Sequence, residues 1–146
     1  MRRHATLFIA IHCSDTYASQ DIGVKEIRQW HTSPPRNWSD IGYHYVIRRD
    51  GTIEAGRLFS DIGAHVEGYN ARALGICMVG GKGKDGKPEN NFTLAQWESL
   101  RKRVTASKLM YPSAIVQGHR DFPGVTKACP CFDAKAWWAG VLSQSA

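Results

Sequence analysis

The sequence predicts a single α/β domain with a central mixed β-sheet flanked by about three helices, and three observations carry that expectation. A short, almost continuous apolar run from Leu7 to Cys13 reads as a strand covered on both faces. Two extended runs flank Arg49-Asp50-Gly51, and an Asp-Gly pair in that setting signals an antiparallel hairpin. Three further segments carry apolar residues at helical spacing. Buried strands, a hairpin and interspersed helices in one chain fit one sheet with both parallel and antiparallel neighbours.

Each element has its own local reason. After the first strand, Val24 to His31 reads as a helix, with Val24, Ile27 and Trp30 on one stripe and Asp21 upstream as a cap. The hairpin runs are Tyr43 to Arg48 and Thr52 to Gly56. Leu74 to Val79 is another apolar strand; it ends at Gly80-Gly81 and leads into a solvated loop rich in Gly, Lys, Pro and Asn up to Asn91. Thr93-Leu94-Ala95-Gln96 has the form of a capping box and starts a helix through Trp97, Leu100 and Val104. Arg101, Lys102, Arg103 and Lys108 are expected on its solvated outer face. Ala114 to Gly118 is the last strand, and Asp133 can cap a final helix holding Trp137, Trp138 and Leu142.

Composition narrows the classes of function. A chain of 146 residues with 42% apolar and 22% charged residues is ordinary for a globular protein. At that size folding buries roughly 70% of the exposed surface, so one domain spanning 1–146 is expected. No stretch approaches the about 18 apolar residues of a membrane span, which argues against membrane insertion. The net charge of +6 favours acidic partners without choosing among nucleic acid, anionic lipid and envelope polymer. No helix-turn-helix, zinc-finger or RRM pattern supports direct nucleic-acid binding. Four cysteines, in a chain large enough to build its own core, suggest thiols or metal before disulfides. His12 interrupts the apolar run after Met1-Arg2-Arg3, so no secretory signal is expected and synthesis ends in a reducing cytoplasm.

Two histidines occupy equivalent places. His12 ends the first strand and His119 ends the last, and ligands of open α/β sheets gather beyond the carboxyl ends of strands. Cys129 follows in the loop Lys127-Ala128-Cys129-Pro130, ten residues after His119. Two imidazoles and a thiolate suit zinc and leave a fourth position open. The residues alone also permit a plainer reading, in which the histidines make ordinary hydrogen bonds and Cys129 is a buried apolar group.

A longer set of segments bears on that choice. Ile11-His12-Cys13-Ser14, Glu26-Ile27-Arg28-Gln29-Trp30-His31, Gly42-Tyr43-His44-Tyr45 and Arg49-Asp50-Gly51-Thr52-Ile53-Glu54-Ala55-Gly56-Arg57 resemble the zinc N-acetylmuramoyl-L-alanine amidases. Gly63-Ala64-His65, Gly68-Tyr69-Asn70, Gly75-Ile76-Cys77, Gly118-His119-Arg120-Asp121 and the Cys129 loop extend the likeness from about Phe8 to Trp138. It is strongest to the T7-like phage lysozymes, a branch of endolysins with this amidase activity.

The resemblance implies that His12, His119 and Cys129 bind zinc, that Tyr43 and Lys127 are catalytic, and that His65 and Asn70 contact substrate. The implied reaction is hydrolysis of the amide between N-acetylmuramic acid and L-alanine of the peptidoglycan stem, leading to host lysis. It further implies a peptidoglycan amidase fold without a separate wall-binding domain, release from the cytoplasm to periplasmic peptidoglycan after membrane permeabilisation, and a monomer. A second role, inhibition of the phage RNA polymerase, comes from the same likeness. The alternative is a non-catalytic peptidoglycan-recognition module, against which the presence of Cys129 argues. Cys131 departs from the T7-like pattern, which has Ser there; competition with Cys129 for zinc or oxidation beside it is the minority reading of that change, and Cys13 and Cys77 read as buried thiols.

Overall fold

The computed structural model describes residues 1–144. In chain order the elements are β1 (Phe8–Cys13), β2 (Thr16–Tyr17), α1 (Val24–Thr32), β3 (Tyr45–Ile47), β4 (Ile53–Ala55), β5 (Ala73–Met78), β6 (Gly81–Lys82), α2 (Leu94–Met110), β7 (Ile115–Gly118) and α3 (Ala134–Gln144). Single 3-10 turns lie at Asn70–Arg72 and His119–Asp121.

Five strands form one sheet in the order β4-β3-β5-β1-β7. β1 lies between β5 and β7 and is parallel to both, and β3 is parallel to β5. Within this sheet, among the described residues, only the β3–β4 hairpin is antiparallel, turning at Gly51 with φ +88° as its Asp-Gly pair anticipated. Strand alternation then assigns residues to faces. Ile9, Ile11 and Cys13 of β1, Ile76 and Met78 of β5 and Ile47 of β3 form a core with Leu100 and Val104 of α2 and Ala134 of α3. On the opposite face, Val46 and Cys77 pack with Val24 and Ile27 of α1, and Ala10 packs with Val66 and Phe122. His12 belongs to that second face, whose apolar cover is divided between two smaller clusters.

Both later helices start as their sequences indicate. Thr93 Oγ1 accepts from the Gln96 amide at 3.1 Å, and the Gln96 side chain accepts from the Thr93 amide at 3.0 Å. Asp133 Oδ1 accepts from the Ala136 amide at 3.1 Å ahead of α3.

Three local expectations change. Asp21 does not cap α1: Glu54 of β4 accepts from the Val24 amide at 2.9 Å, Glu26 accepts from the Gly23 amide at 2.9 Å, and Asp21 pairs with Arg48 at 3.1 Å. A carboxylate from a neighbouring strand thus does what a local residue was expected to do. The loop from Gly80 to Asn91 contains β6, which pairs in parallel with β2. Arg103 leaves the solvated face of α2 and lies over the Tyr45 ring, 4.3 Å from its centroid, a cation–π contact.

Gln96 ties α2 to the sheet as well as capping it. Its fully buried amide donates to the Ile47 carbonyl at 3.1 Å and the Val79 carbonyl at 2.8 Å, and its oxygen also accepts from Arg49 at 3.1 Å. Truncation would strand buried carbonyls without partners. Gln96→Ala is therefore expected to destabilise the fold by about 1–3 kcal/mol, seen as a lower urea midpoint with an unchanged m-value.

Candidate metal centre and active site

The site begins with strand register. Ile11 of β1 lies opposite Gly118 of β7, so the next residue of each chain segment, His12 and His119, leaves adjacent strand ends side by side. Their rings are 4.7 Å apart. The loop after His119 brings Cys129 back because it is fastened at several points. Asp121 accepts from the Gly118 amide at 2.8 Å, the Arg120 amide donates to the Cys129 carbonyl at 2.9 Å, and Phe132 is buried against the Trp97 ring. One donor atom each from His12, His119 and Cys129 then lies within 4.8 Å of the others.

The hydrogen bonding around His12 selects which of its nitrogens faces that cluster. The Ala73 carbonyl can only accept, so His65 Nε2 donates to it at 3.2 Å, leaving His65 Nδ1 as an acceptor. His12 Nε2 must then donate to His65 Nδ1, at 2.9 Å. The lone pair of His12 is left on Nδ1, 3.9 Å from Cys129 Sγ. Burial lowers the pKa of His12 well below its ordinary value and lowers that of His119, with Lys127 adding to both, so the imidazoles are neutral as metal ligation requires. The Cys13 amide donates to Cys129 Sγ at 3.2 Å, which fixes the sulfur beside the two imidazoles. Two neutral imidazoles and a thiolate, with a fourth direction open to the groove, could hold zinc.

A groove runs over these donors. Two adjoining cavities of about 480 and 750 Å³ share His31, Arg36, Tyr43, His119 and Lys127 in their walls. Tyr43 lies just before β3, its ring 5.1 Å from that of His12. Burial pushes its phenol well above the usual range, followed by the nearby cysteine sulfurs, so it remains a proton donor at neutral pH. Lys127 is exposed on the groove wall, two residues before Cys129.

His65 and Asn70 border the larger cavity. Both are already engaged: Asn70 Oδ1 accepts from the His65 and Val66 amides at 2.8 Å each and so holds the turn that carries His65. The role of His65 behind His12 escaped sequence reasoning, although glycines mark it. A Cβ on Gly75 would come within 2.7 Å of the His65 ring and one on Gly63 within 2.8 Å. His31 was likewise given no role; it is a polar residue on the apolar stripe of α1, accepts from the Gly42 amide at 2.9 Å, and is lowered to about 4 by burial and by Arg36 and Arg57. His44 is fully buried between backbone groups, accepting from the Gly75 amide at 2.9 Å and donating to the Asp61 carbonyl at 2.8 Å.

Cys131 turns away from the three donors. Its sulfur lies 3.8 Å from Cys13 Sγ and 3.3 Å from the Gly81 carbonyl oxygen. Hydrogen bonding with Cys129 and burial push the Cys13 thiol up to about 12, and hydrogen bonding with Cys13 and burial raise that of Cys131. Neither offers a thiolate in competition with Cys129.

The N-acetylmuramoyl-L-alanine amidase family model matches residues 2–132, most of the chain and every residue of this site. The chain belongs to that family. Its amidase activity and its fold agree with what the sequence implied. The amidase is 49% identical to an endolysin of Klebsiella phage KP32 and 46% identical to the endolysin of Escherichia phage T7, in each case over 94% of this chain and 88% of the relative. Among solved structures, the N-acetylmuramoyl-L-alanine amidase LysC from Clostridium intestinale superposes with a TM-score of 0.76 at 27% identity, covering 96% of this chain and 85% of that one.

The His65 relay generates a test separable from catalysis. In the amidase, His65→Ala removes the acceptor that fixes the His12 tautomer, and loss of such outer partners typically weakens metal binding 10- to 100-fold. Competition for zinc between the protein and a colorimetric chelator should show a loss of that size.

Proposed function

We propose that this amidase is a phage endolysin that uses zinc held by His12, His119 and Cys129 to hydrolyse the bond between N-acetylmuramic acid and L-alanine in peptidoglycan. The observation that carries this reading is the convergence of the three donors within 4.8 Å at the floor of the groove, with the His12 lone pair directed among them. A non-catalytic recognition module would have no use for three donors so arranged.

Zinc in that position would supply a Lewis acid that polarises a carbonyl and lowers the pKa of water from 15.7 to about 7. The protein's own groups supply the remainder. Lys127, extending over the groove, is placed to stabilise negative charge growing on the scissile carbonyl oxygen. Tyr43, kept protonated by burial, donates a hydrogen bond to the reacting amide and helps orient water or the departing alanine nitrogen. His65 holds His12, and Asn70 holds His65. The muropeptide would meet those two residues as groove wall, because Asn70 Oδ1 and both His65 nitrogens are already engaged.

Synthesis in the host cytoplasm and action on periplasmic peptidoglycan after membrane permeabilisation complete the reading, with a monomer as the form that enters the mesh. Among the described residues no helix is long and apolar enough to cross a membrane.

Digestion of purified peptidoglycan should release free N-terminal alanine, stop with chelator and resume with added zinc; new reducing sugar ends instead would overturn the reading. Lys127→Ala should keep its zinc by atomic absorption while kcat falls about 100- to 1000-fold. Tyr43→Phe should likewise retain the metal and lose most activity, and metal loss in either variant would contradict the assigned roles.

A further inference from the structure

We propose that Cys13 and Cys131 are a disulfide-forming pair, a covalent staple behind the metal site that closes when the protein meets a disulfide oxidant. The two sulfurs are 3.8 Å apart, and both cysteines are free thiols. They pack with Ile9 and Ile11 in the core on the α2–α3 face of the sheet, whereas the His12 side chain lies on the other face. The arrangement is specific in two respects. Gly81 leaves room for both sulfurs, since a Cβ there would sit 2.7 Å from Cys13 Sγ and 3.4 Å from Cys131 Sγ. Cys131 also adopts a left-handed backbone, φ +72°, uncommon for a residue with a side chain, in a turn closed by its amide on the Ala128 carbonyl at 2.7 Å.

The other cysteines are worse partners. Cys129 Sγ takes the Cys13 amide and faces His12, and Cys77 is buried on the opposite face of β5. Cys131 is partly exposed and Cys13 borders the smaller groove cavity, so an oxidant can reach the pair. The reaction is thiol–disulfide exchange. Cys131 attacks an oxidised glutathione or an oxidised dithiol carrier and forms a mixed disulfide with release of one thiol. Cys13 then displaces the second thiol, so one S–S bond forms in the protein and one is reduced in the oxidant. Limited access to the Cys13 sulfur makes the exchange slow.

Closing this bond joins the residue after His12 to the residue two beyond Cys129, fastening the ligand loop to β1. The bond's timing rests on the endolysin reading, in which the chain passes from a reducing to an oxidising compartment; its chemistry does not.

The test incubates zinc-loaded protein with oxidised glutathione for hours to days and maps the non-reduced tryptic peptides. Fragments 4–25 and 128–135 should be joined, with fragmentation placing the link at Cys131 and alkylation at Cys129. The crosslink spans 118 residues, and the melting temperature should rise by roughly 5–10 °C and fall back with dithiothreitol. Cys131→Ser should lose both the link and the shift while digesting peptidoglycan as before. A link through Cys129, glutathione left on Cys131 without an internal bond, or no oxidation would each overturn the proposal. A staple that forms in a protein without amidase activity would count against the endolysin reading and not against the staple.

Discussion

Parallel pairing of β1 with β5 and β7 in one fixed register decides where the chemistry can be. With Ile11 opposite Gly118, the two histidines that follow cannot avoid one another, and a slip of one residue would turn His12 into the α2–α3 core. The register is held by burial: Ile9, Ile11, Ile76 and Val116 all face the same side and are nearly or wholly inaccessible. Apolar packing behind the sheet thus fixes the polar geometry in front of it.

The front face carries buried histidines. His12, His44 and His65 are buried there, and each would be expensive to leave without partners. Most of the partners are backbone groups, at Ala73, Gly75 and Asp61, which stay in place as long as β5 and its flanking turns do. Glycines at 63 and 75 give these rings their space. The result is a chain of hydrogen bonds from a sheet carbonyl to a ligand nitrogen, with each proton position dictated by the group behind it.

The fold class, the hairpin and the capping box of α2 were legible in the sequence, because each rests on a short-range pattern; His12, His119 and Cys129 were singled out as a set through the family resemblance, since spacing alone left a plainer reading open. Contacts distant along the chain were less so. Glu54 capping α1, β2 pairing with β6, and Arg103 stacking on Tyr45 each depend on which elements become neighbours, and no local spacing encodes that. His65 illustrates the limit within the site. Its segment could be recognised, but its position behind His12 depends on a strand neighbour, Gly75, leaving space for its ring and on the Ala73 carbonyl holding it.

Lys127 and Cys129 share one short loop, and Asn70, His65 and His12 form one chain of contacts. Two sides of the groove are therefore tied to the arrangement of the three donors, and a change made there to suit a different stem peptide would disturb that arrangement at the same time. Among the described residues, the stretch 33–38, which brings Arg36 and Trp38 to the groove, has no hydrogen bond to any of the three donor residues. Freedom to evolve new substrate preference is thus unevenly distributed around this cleft, concentrated on the wall farthest from the three donors in the chain of contacts.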